Sequence, residues 1–432
     1  RVFLNSFMFS DRGSIHCVNL AQGIKEPAIY YQHHPEQKYI DAIQKGFEDI
    51  RKYNGMAHGL YGGDEALHGN NPTQGSELCT AVEMMFSLEN ILAITGKASY
   101  ADHLEKIAFN ALPAQISDDF MRRQYFQQAN QVMATRHTRN FDVNHSGTDL
   151  CYGLLTGYPC CTSNMHQGWP KFTQNLWYAT PDKGLAALIY SPSSVKAIVA
   201  GGTAVSFNEE TDYPFGESVK FTLQLDDKSK PVSFPFHLRI PAWCKKAVIR
   251  INEKNWQEAG NNQVIKINRE WKSGDVVELI LPMHIFKNTW HENSVSIERG
   301  PIVYALKIGE EVKEIKNNKD PVAYGNSYFE VRPTTTWNYG LNDIADNKLD
   351  EHYRFEKKKE NSNFPWNADN VPVSIKTKAR LIPSWQLYNE MTGPIPYSIT
   401  YGLETVKEEE EIVLIPYGAT RLRIAQFPVI GR

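Results

Sequence analysis

The run ELCTAVEMMFSLENILAITG, residues 77–96, sets the class of the first part of the chain. Leu78, Val82, Met85, Phe86, Leu88 and Leu92 recur at helical spacing as a broad apolar stripe, and Gly96 is a natural stop. The same period returns on both sides. Upstream lies HPEQKYIDAIQKGFEDIRKY (34–53). Downstream, SYADHLEKIAFNALPAQI (99–116) puts Leu104, Ile107, Ala108 and Leu112 on one face, with Pro113 near its end. Between the helices lie Gly-rich loops such as HGLYGGDEALHGNNPTQG (58–75), long enough to carry function rather than merely connect.

Beyond about residue 180 the period changes to two. SVKFTLQL, FPFHLRIPAW, AVIRIN, VIKINREW and DVVELILP are short β-type runs separated by turn residues, the signature of an antiparallel β-sandwich. The pattern therefore predicts a multidomain α plus β chain: a helical catalytic domain over 1–179, a β-sandwich over 180–306 and a second β-rich region over 307–410. The strands of 411–432 are expected to return to the first sandwich. The polar stretches KNNKD, KKKE and EEEE read as solvated surface.

Composition narrows the function. The 432 residues are 41% apolar and 12% aromatic, enough for a large core. A net charge of -3 offers no basic excess for a phosphate backbone, so no nucleic-acid partner is expected. No apolar run approaches the roughly 18 residues of a spanning helix. The N-terminal RVFLNSFMFSDRGS lacks a basic region followed by an apolar stretch, so neither a membrane partner nor an export signal is expected. Six cysteines, at 17, 79, 151, 160, 161 and 244, are too few for a disulfide scaffold.

Three of those cysteines suggest chemistry. Glu77-Leu78-Cys79 stands at a helix start, where side chains two apart diverge unless the first belongs to the preceding segment. Cys160 and Cys161 follow Tyr158-Pro159 in a turn-rich context that can aim neighbouring side chains at one point. Three thiolates and a carboxylate suit a tetrahedral zinc ion, although the CxxC knuckle of a zinc finger is absent. Buried free cysteines are the plain alternative.

Taken together, GGDEALHG, GSELC, YADHLEKIAFNAL and above all TGYPCCTSNMHQGWPKF resemble glycoside hydrolase family 127, the β-L-arabinofuranosidases, over residues 14–180. SIERGPIVYAL and IPYGATRLRIAQFPVI resemble the family's sandwich region. The resemblance implies an (α/α)6 toroid followed by antiparallel β-sandwich domains. The helical pattern here covers about half of such a ring, so residues 1–179 are expected to be its C-terminal part. It further implies that Glu77, Cys79, Cys160 and Cys161 hold zinc, with Cys160 the nucleophile and Glu65 the general acid/base of a retaining exo-glycosidase. Such an enzyme would remove β-L-arabinofuranosyl units from plant glycans, so its partner is an oligosaccharide or glycan. His16 resembles a sugar-binding histidine and Glu105 falls at a site-facing position. His166, Trp169 and Lys171 are candidates for sugar contacts, the indole as a ring platform.

Each residue also has a plain reading. Asp64 and Glu65 could be loop acids, Glu105 the polar face of a helix, His16 a core or surface histidine, and His166 and Trp169 packing beneath the cysteine turn. His145, in NHSGTDLCYG, has no assigned role, and Cys151 and Cys244 read as structural. Two alternatives stand beside the leading function: the same mechanism on another pectic sugar, and a non-catalytic carbohydrate-binding protein. Reduced thiols suit a cytoplasm, while zinc-protected thiolates also suit a periplasm. The localisation and the oligomeric state stay open.

Overall fold

In a computed structural model of the chain, the described residues are 15–318, 321–358, 364–397 and 405–431. RVFLNSFMFSDRGS and the ends of KNNKD and KKKE lie outside them. Helices and mainly antiparallel sheets form two compact units. One gathers the described residues up to Ser87, then Lys106–Gly168 and those from Ile285 on; the other gathers Leu88–Glu105 and Trp169–His284. The boundary falls inside two helices, Leu78–Thr95 and Cys160–Gln174, and before the last residue of a third, Ala98–Lys106.

The helical readings convert directly into elements. Gln37–Asn54 buries Ile40, Ile43 and Ile50 on one face. The run at 77–96 becomes the helix Leu78–Thr95, closed by Gly96 at φ +63°. By length and composition alone that helix could cross a bilayer, contrary to the expectation that no apolar run is long enough. Buried over 67% of its length inside the protein, it reads as a core helix. The next helix, Ala98–Lys106, passes into a π-turn over Ile107–Ala111 and ends at Leu112–Ala114. Asn110 in that turn donates to the Pro301 carbonyl (2.9 Å) and accepts from the Val303 amide (2.8 Å), so the wide turn docks on the strand Ile302–Leu306.

That strand belongs to the large sheet of the first unit. In order, the sheet runs Ile285–Thr289, Val295–Arg299, Ile302–Leu306, Glu410–Pro416, Val373–Leu381, Tyr339–Asn342 and Val429–Ile430, with Arg354–Lys357 also paired to Val373–Leu381. Of the closing strands, Glu410–Pro416 thus pairs with Ile302–Leu306, Val429–Ile430 with Tyr339–Asn342 and Arg423–Ile424 with Asn130–Gln131, all within the first unit. The division expected at 306 falls instead between His284 and Ile285. Alternation identifies a strand but not the sheet that will accept its hydrogen bonds. Small residues let this region close on the helical part of the same unit: Ala57, Ala114, Val303, Ala305, Tyr417 and Ala425 form one buried cluster.

The second unit is a sandwich. Its six-stranded sheet contains Ser218–Leu225 and Thr203–Thr211, and its four-stranded sheet contains Val232–Ile240 and Trp177–Ala179. Val219, Phe221, Leu223 and Leu225 point inward at alternate positions. Phe236 of the smaller sheet stacks on Phe207 (4.7 Å) and meets Phe221 edge-on (5.4 Å), which places the two sheets face to face. Arg239, fully buried, is paired with Asp102 and Glu105 of the same unit.

Phe236→Ala is expected to destabilise the second unit by about 3–5 kcal/mol, because its ring has no room to be replaced by solvent. The check is the chemical denaturation midpoint followed by near-UV circular dichroism and amide hydrogen exchange of the sandwich strands.

Candidate functional site

A small sheet in the first unit positions two carboxylates. Its strands run in the order Ala66–Gly69, Gly62–Asp64, Ser76–Glu77 and Phe126–Gln127. Glu65 is the residue between the first two, at φ +85°, a conformation strained for any residue with a Cβ. Its carbonyl accepts from the Cys17 amide (2.8 Å), which holds the turn. Glu77 ends a strand while the helix begins at Leu78, so Glu77 and Cys79 are not two positions of one helix and need not diverge.

Cys160 and Cys161 open the helix Cys160–Gln174. The chain reaches them through Gly157 at φ +63°, where an added Cβ would stand 2.3 Å from Cβ of Tyr125. Buried Arg123 ties this approach down by donating to the carbonyls of Thr156 and Tyr158 and to Oγ1 of Thr162.

These constraints bring four donors together. Sγ of Cys79 lies 3.2 Å from Sγ of Cys161 and 3.4 Å from Sγ of Cys160, and Oε1 of Glu77 lies 3.6 and 3.7 Å from the sulfurs of Cys160 and Cys161. All four ligand atoms fall within 4.8 Å of one another. Cys17 adds a thiol 3.5 Å from the other Glu77 oxygen. Cys79 and the Cys160–Cys161 pair both sit in the first turn of a helix, where free amides and the helix dipole favour negative charge.

The charges are unequally placed. Hydrogen bonds from Cys161 and Cys79 draw the Cys160 thiol far below its ordinary value. Burial pushes Cys161 up, and the bond to Cys160 does the same for Cys79. Burial, with the nearby Glu65 charge, raises Glu77 to about 8. Cys160 is the one cysteine of the six that is not fully buried. A set of three sulfurs and one carboxylate oxygen fits a thiolate-seeking metal ion in four-coordination.

Glu65 is the centre of a second group. Oε1 accepts from the Tyr125 hydroxyl (2.5 Å) and faces Nε2 of His145 at 3.6 Å; Oε2 pairs with Nε2 of His16 at 3.2 Å. Burial alone would raise Glu65, but His16 and Tyr125 more than offset it and leave the carboxyl below its usual value. His16 is raised in return, chiefly by its bond to Glu65. Both groups open onto a cavity of about 650 Å³ lined by His16, Glu65, Glu77, Tyr125, His145 and Cys160 among others.

Of the other candidates read from sequence, Glu105 needs correction. It is fully buried, paired with Arg239 and bonded by the Tyr213 hydroxyl, because burying an acid requires such partners. His166 is exposed and Trp169 packs edge-on against Phe172; neither lines the cavity, and nor does Lys171. Asp64 is bonded to His68 rather than aimed at the site. Tyr125, His145 and Asp149 were not legible as site residues. Their segments carry no spacing that announces a site, and only the fold brings Tyr125 and His145 to Glu65, with Asp149 bonded to His145 behind it.

Residues 13–174 match the family model for the catalytic domain of β-L-arabinofuranosidase, GH127, and residues 184–283 match that for its middle domain. Over 246 residues the chain is 26% identical to a non-reducing end β-L-arabinofuranosidase of Bifidobacterium longum subsp. longum, covering 55% of this chain and 36% of the relative. A solved GH127 β-L-arabinofuranosidase from Geobacillus stearothermophilus T6 superposes with a TM-score of 0.69 at 20% identity, over 96% of this chain and 60% of that one. A structure described as a glycoside hydrolase gives 0.70 at 20% identity, over 96% and 66%. The chain thus spans 36% of the curated relative's length and 60% and 66% of these two structures. At 20% identity the structural likeness concerns the fold.

The four donors bind an ion only when deprotonated, and burial keeps Glu77 protonated up to about 8. Affinity for cobalt(II), read from its sulfur-to-metal charge-transfer absorption, is therefore expected to rise as pH climbs through that value. Cys161→Ser should weaken binding by more than the roughly 10–100-fold that outer partners of a metal site cost.

Proposed function

The chain belongs to glycoside hydrolase family 127, and from that membership we propose a retaining exo-glycosidase that removes β-L-arabinofuranosyl units from plant glycans. One observation carries the reading: Cys160, the accessible thiol, and Glu65 open onto the same cavity. A nucleophile and a carboxyl facing one space are what double displacement at an anomeric carbon requires.

The steps follow from the residues. Cys160, already the least basic of the three sulfurs, attacks the anomeric carbon and forms a C–S bond as the glycosidic C–O bond breaks. Glu65, held as carboxylate at rest, takes up a proton from the histidines that face it and gives it to the departing oxygen. Its carboxylate then takes a proton from water, which attacks the same carbon, breaks the C–S bond and releases the sugar with retained configuration. Tyr125 and His16 orient the two oxygens of Glu65 throughout. Glu77, Cys79, Cys160 and Cys161 would hold zinc, which when bound supplies positive charge that keeps the thiols deprotonated. The helices are read as the C-terminal part of an (α/α)6 toroid, in keeping with the family relationship.

Cys160→Ala is expected to abolish release of arabinose from a synthetic β-L-arabinofuranoside. Glu65→Gln is expected to lower it by about 10²–10⁴-fold, less with a nitrophenyl leaving group that needs no protonation. NMR of the first-formed sugar checks retention. Full activity in either variant overturns the assignment.

A further inference from the structure

The acid/base carboxyl is backed by a second carboxylate acting through a histidine. Nδ1 of His145 lies 2.7 Å from Oδ1 of Asp149, and Nε2, on the opposite edge of the ring, faces Oε1 of Glu65 at 3.6 Å. The His145 amide also points at both Asp149 oxygens (3.1 Å each), and the Asp149 carbonyl accepts from the amides of Tyr125 and Phe126. The loop carrying the pair and the segment of Tyr125 and Phe126 are therefore tied to each other as well as to Glu65. Asp149 is 1% exposed, and a carboxylate so buried persists by being hydrogen-bonded. With Nδ1–H committed to Asp149, the atom of His145 free to gain or lose a proton is Nε2, the one that looks at Glu65.

We infer that Asp149 and His145 form a positioning pair for Glu65, fixing its carboxylate at the turn apex and sharing with it the single proton that the two half-reactions give out and take back. The inference rests on the reading of Glu65 as acid/base. The proton balance closes: glycosylation moves one proton from the Glu65–His145 group to the leaving oxygen, leaving carboxylate and neutral imidazole, and deglycosylation returns one from water. The groups facing His145 agree with this role. Asp149 and Glu65 flank its two nitrogens, the Tyr125 and Tyr158 rings lie at 4.8 and 5.9 Å, and Glu77 acts through space. His16 holds the far oxygen of Glu65, and Asp142 lines the same cavity. Burial lowers the His145 pKa, but the Asp149 bond and the surrounding acids more than offset it, so the ring is held above its ordinary value.

The plain alternative is a loop staple in which Asp149 merely closes the turn at 145–149. Two measurements on the full, metal-loaded chain separate the readings. In the first, kcat/KM is followed against pH with Asp149→Asn. Removing a negative charge from the group weakens its hold on the proton, so the basic limb is expected to move to lower pH by about one unit. A uniform loss at every pH with an unmoved limb overturns the proposal. The second needs no turnover: the His145 ring is titrated by NMR in the unaltered protein and in Glu65→Gln. Loss of the neighbouring carboxylate is expected to lower the midpoint by about half a unit or more. An unchanged midpoint overturns the pairing, whether or not the protein cleaves an arabinofuranoside. Absence of glycosidase activity alongside a coupled midpoint would count against the enzymatic reading alone.

Discussion

Charge of one sign, gathered out of water, has to be offset from somewhere, and that constraint organises the first unit. Three sulfurs and a carboxylate lie within 4.8 Å of one another, three of the four residues fully buried. Two helix beginnings converge on them, and Arg123 holds the approach to one of those helices while adding its own positive charge nearby. Glu77 answers by holding its proton to unusually high pH, and Cys160 by surrendering its own. A metal ion is the remaining offset, and the donors are arranged to receive it. The proposed nucleophile and the proposed metal set are thus two expressions of one electrostatic problem.

The neighbouring group solves the complementary problem. In the proposed reaction Glu65 has to be carboxylic acid in one half-reaction and carboxylate in the next, within 4.8 Å of Glu77. A strained backbone keeps it at a turn apex, and three side chains keep it oriented: Tyr125 and His145 on one oxygen, His16 on the other. Strain at such a position persists only when the surroundings over-determine it. Here the surroundings are a four-stranded sheet, the amide of Cys17 and three polar side chains.

Much of this could be read from residue order, and the reasons for the remainder are specific. Helical period located Leu78–Thr95 and Ala98–Lys106, and alternation located the sandwich strands, because both reflect burial of one face. Glu77 and Cys79 could be placed at a structural boundary because a helix forbids side chains two apart from converging. The π-turn at Ile107–Ala111 could not be seen, since its cause is Asn110 meeting a strand almost 200 residues away. His145 and Asp149 sit at i, i+4 in a loop, with no repeating pattern to betray them. Glu105 looked like a site residue because the family resemblance put a site-facing polar residue at its position. Arg239, distant in sequence, supplies a structural one. Sheet membership of the closing strands was likewise invisible, since hydrogen-bond partners leave no mark on alternation.

The compact unit that holds the sandwich is not a continuous stretch of chain. Sequence similarity marks 184–283 as a module, yet the unit also takes in Leu88–Glu105, and Arg239 in the middle of the module is neutralised by Asp102 and Glu105 outside it. Transplanting 184–283 from a relative as a cassette would leave the buried Glu105 and the half-buried Asp102 facing whatever residue the donor carries at 239. A chimera that respects the physics exchanges 88–105 together with 169–284. Three of the four recombination points that preserve the fold therefore lie inside helices, where an alignment of domains would not place them.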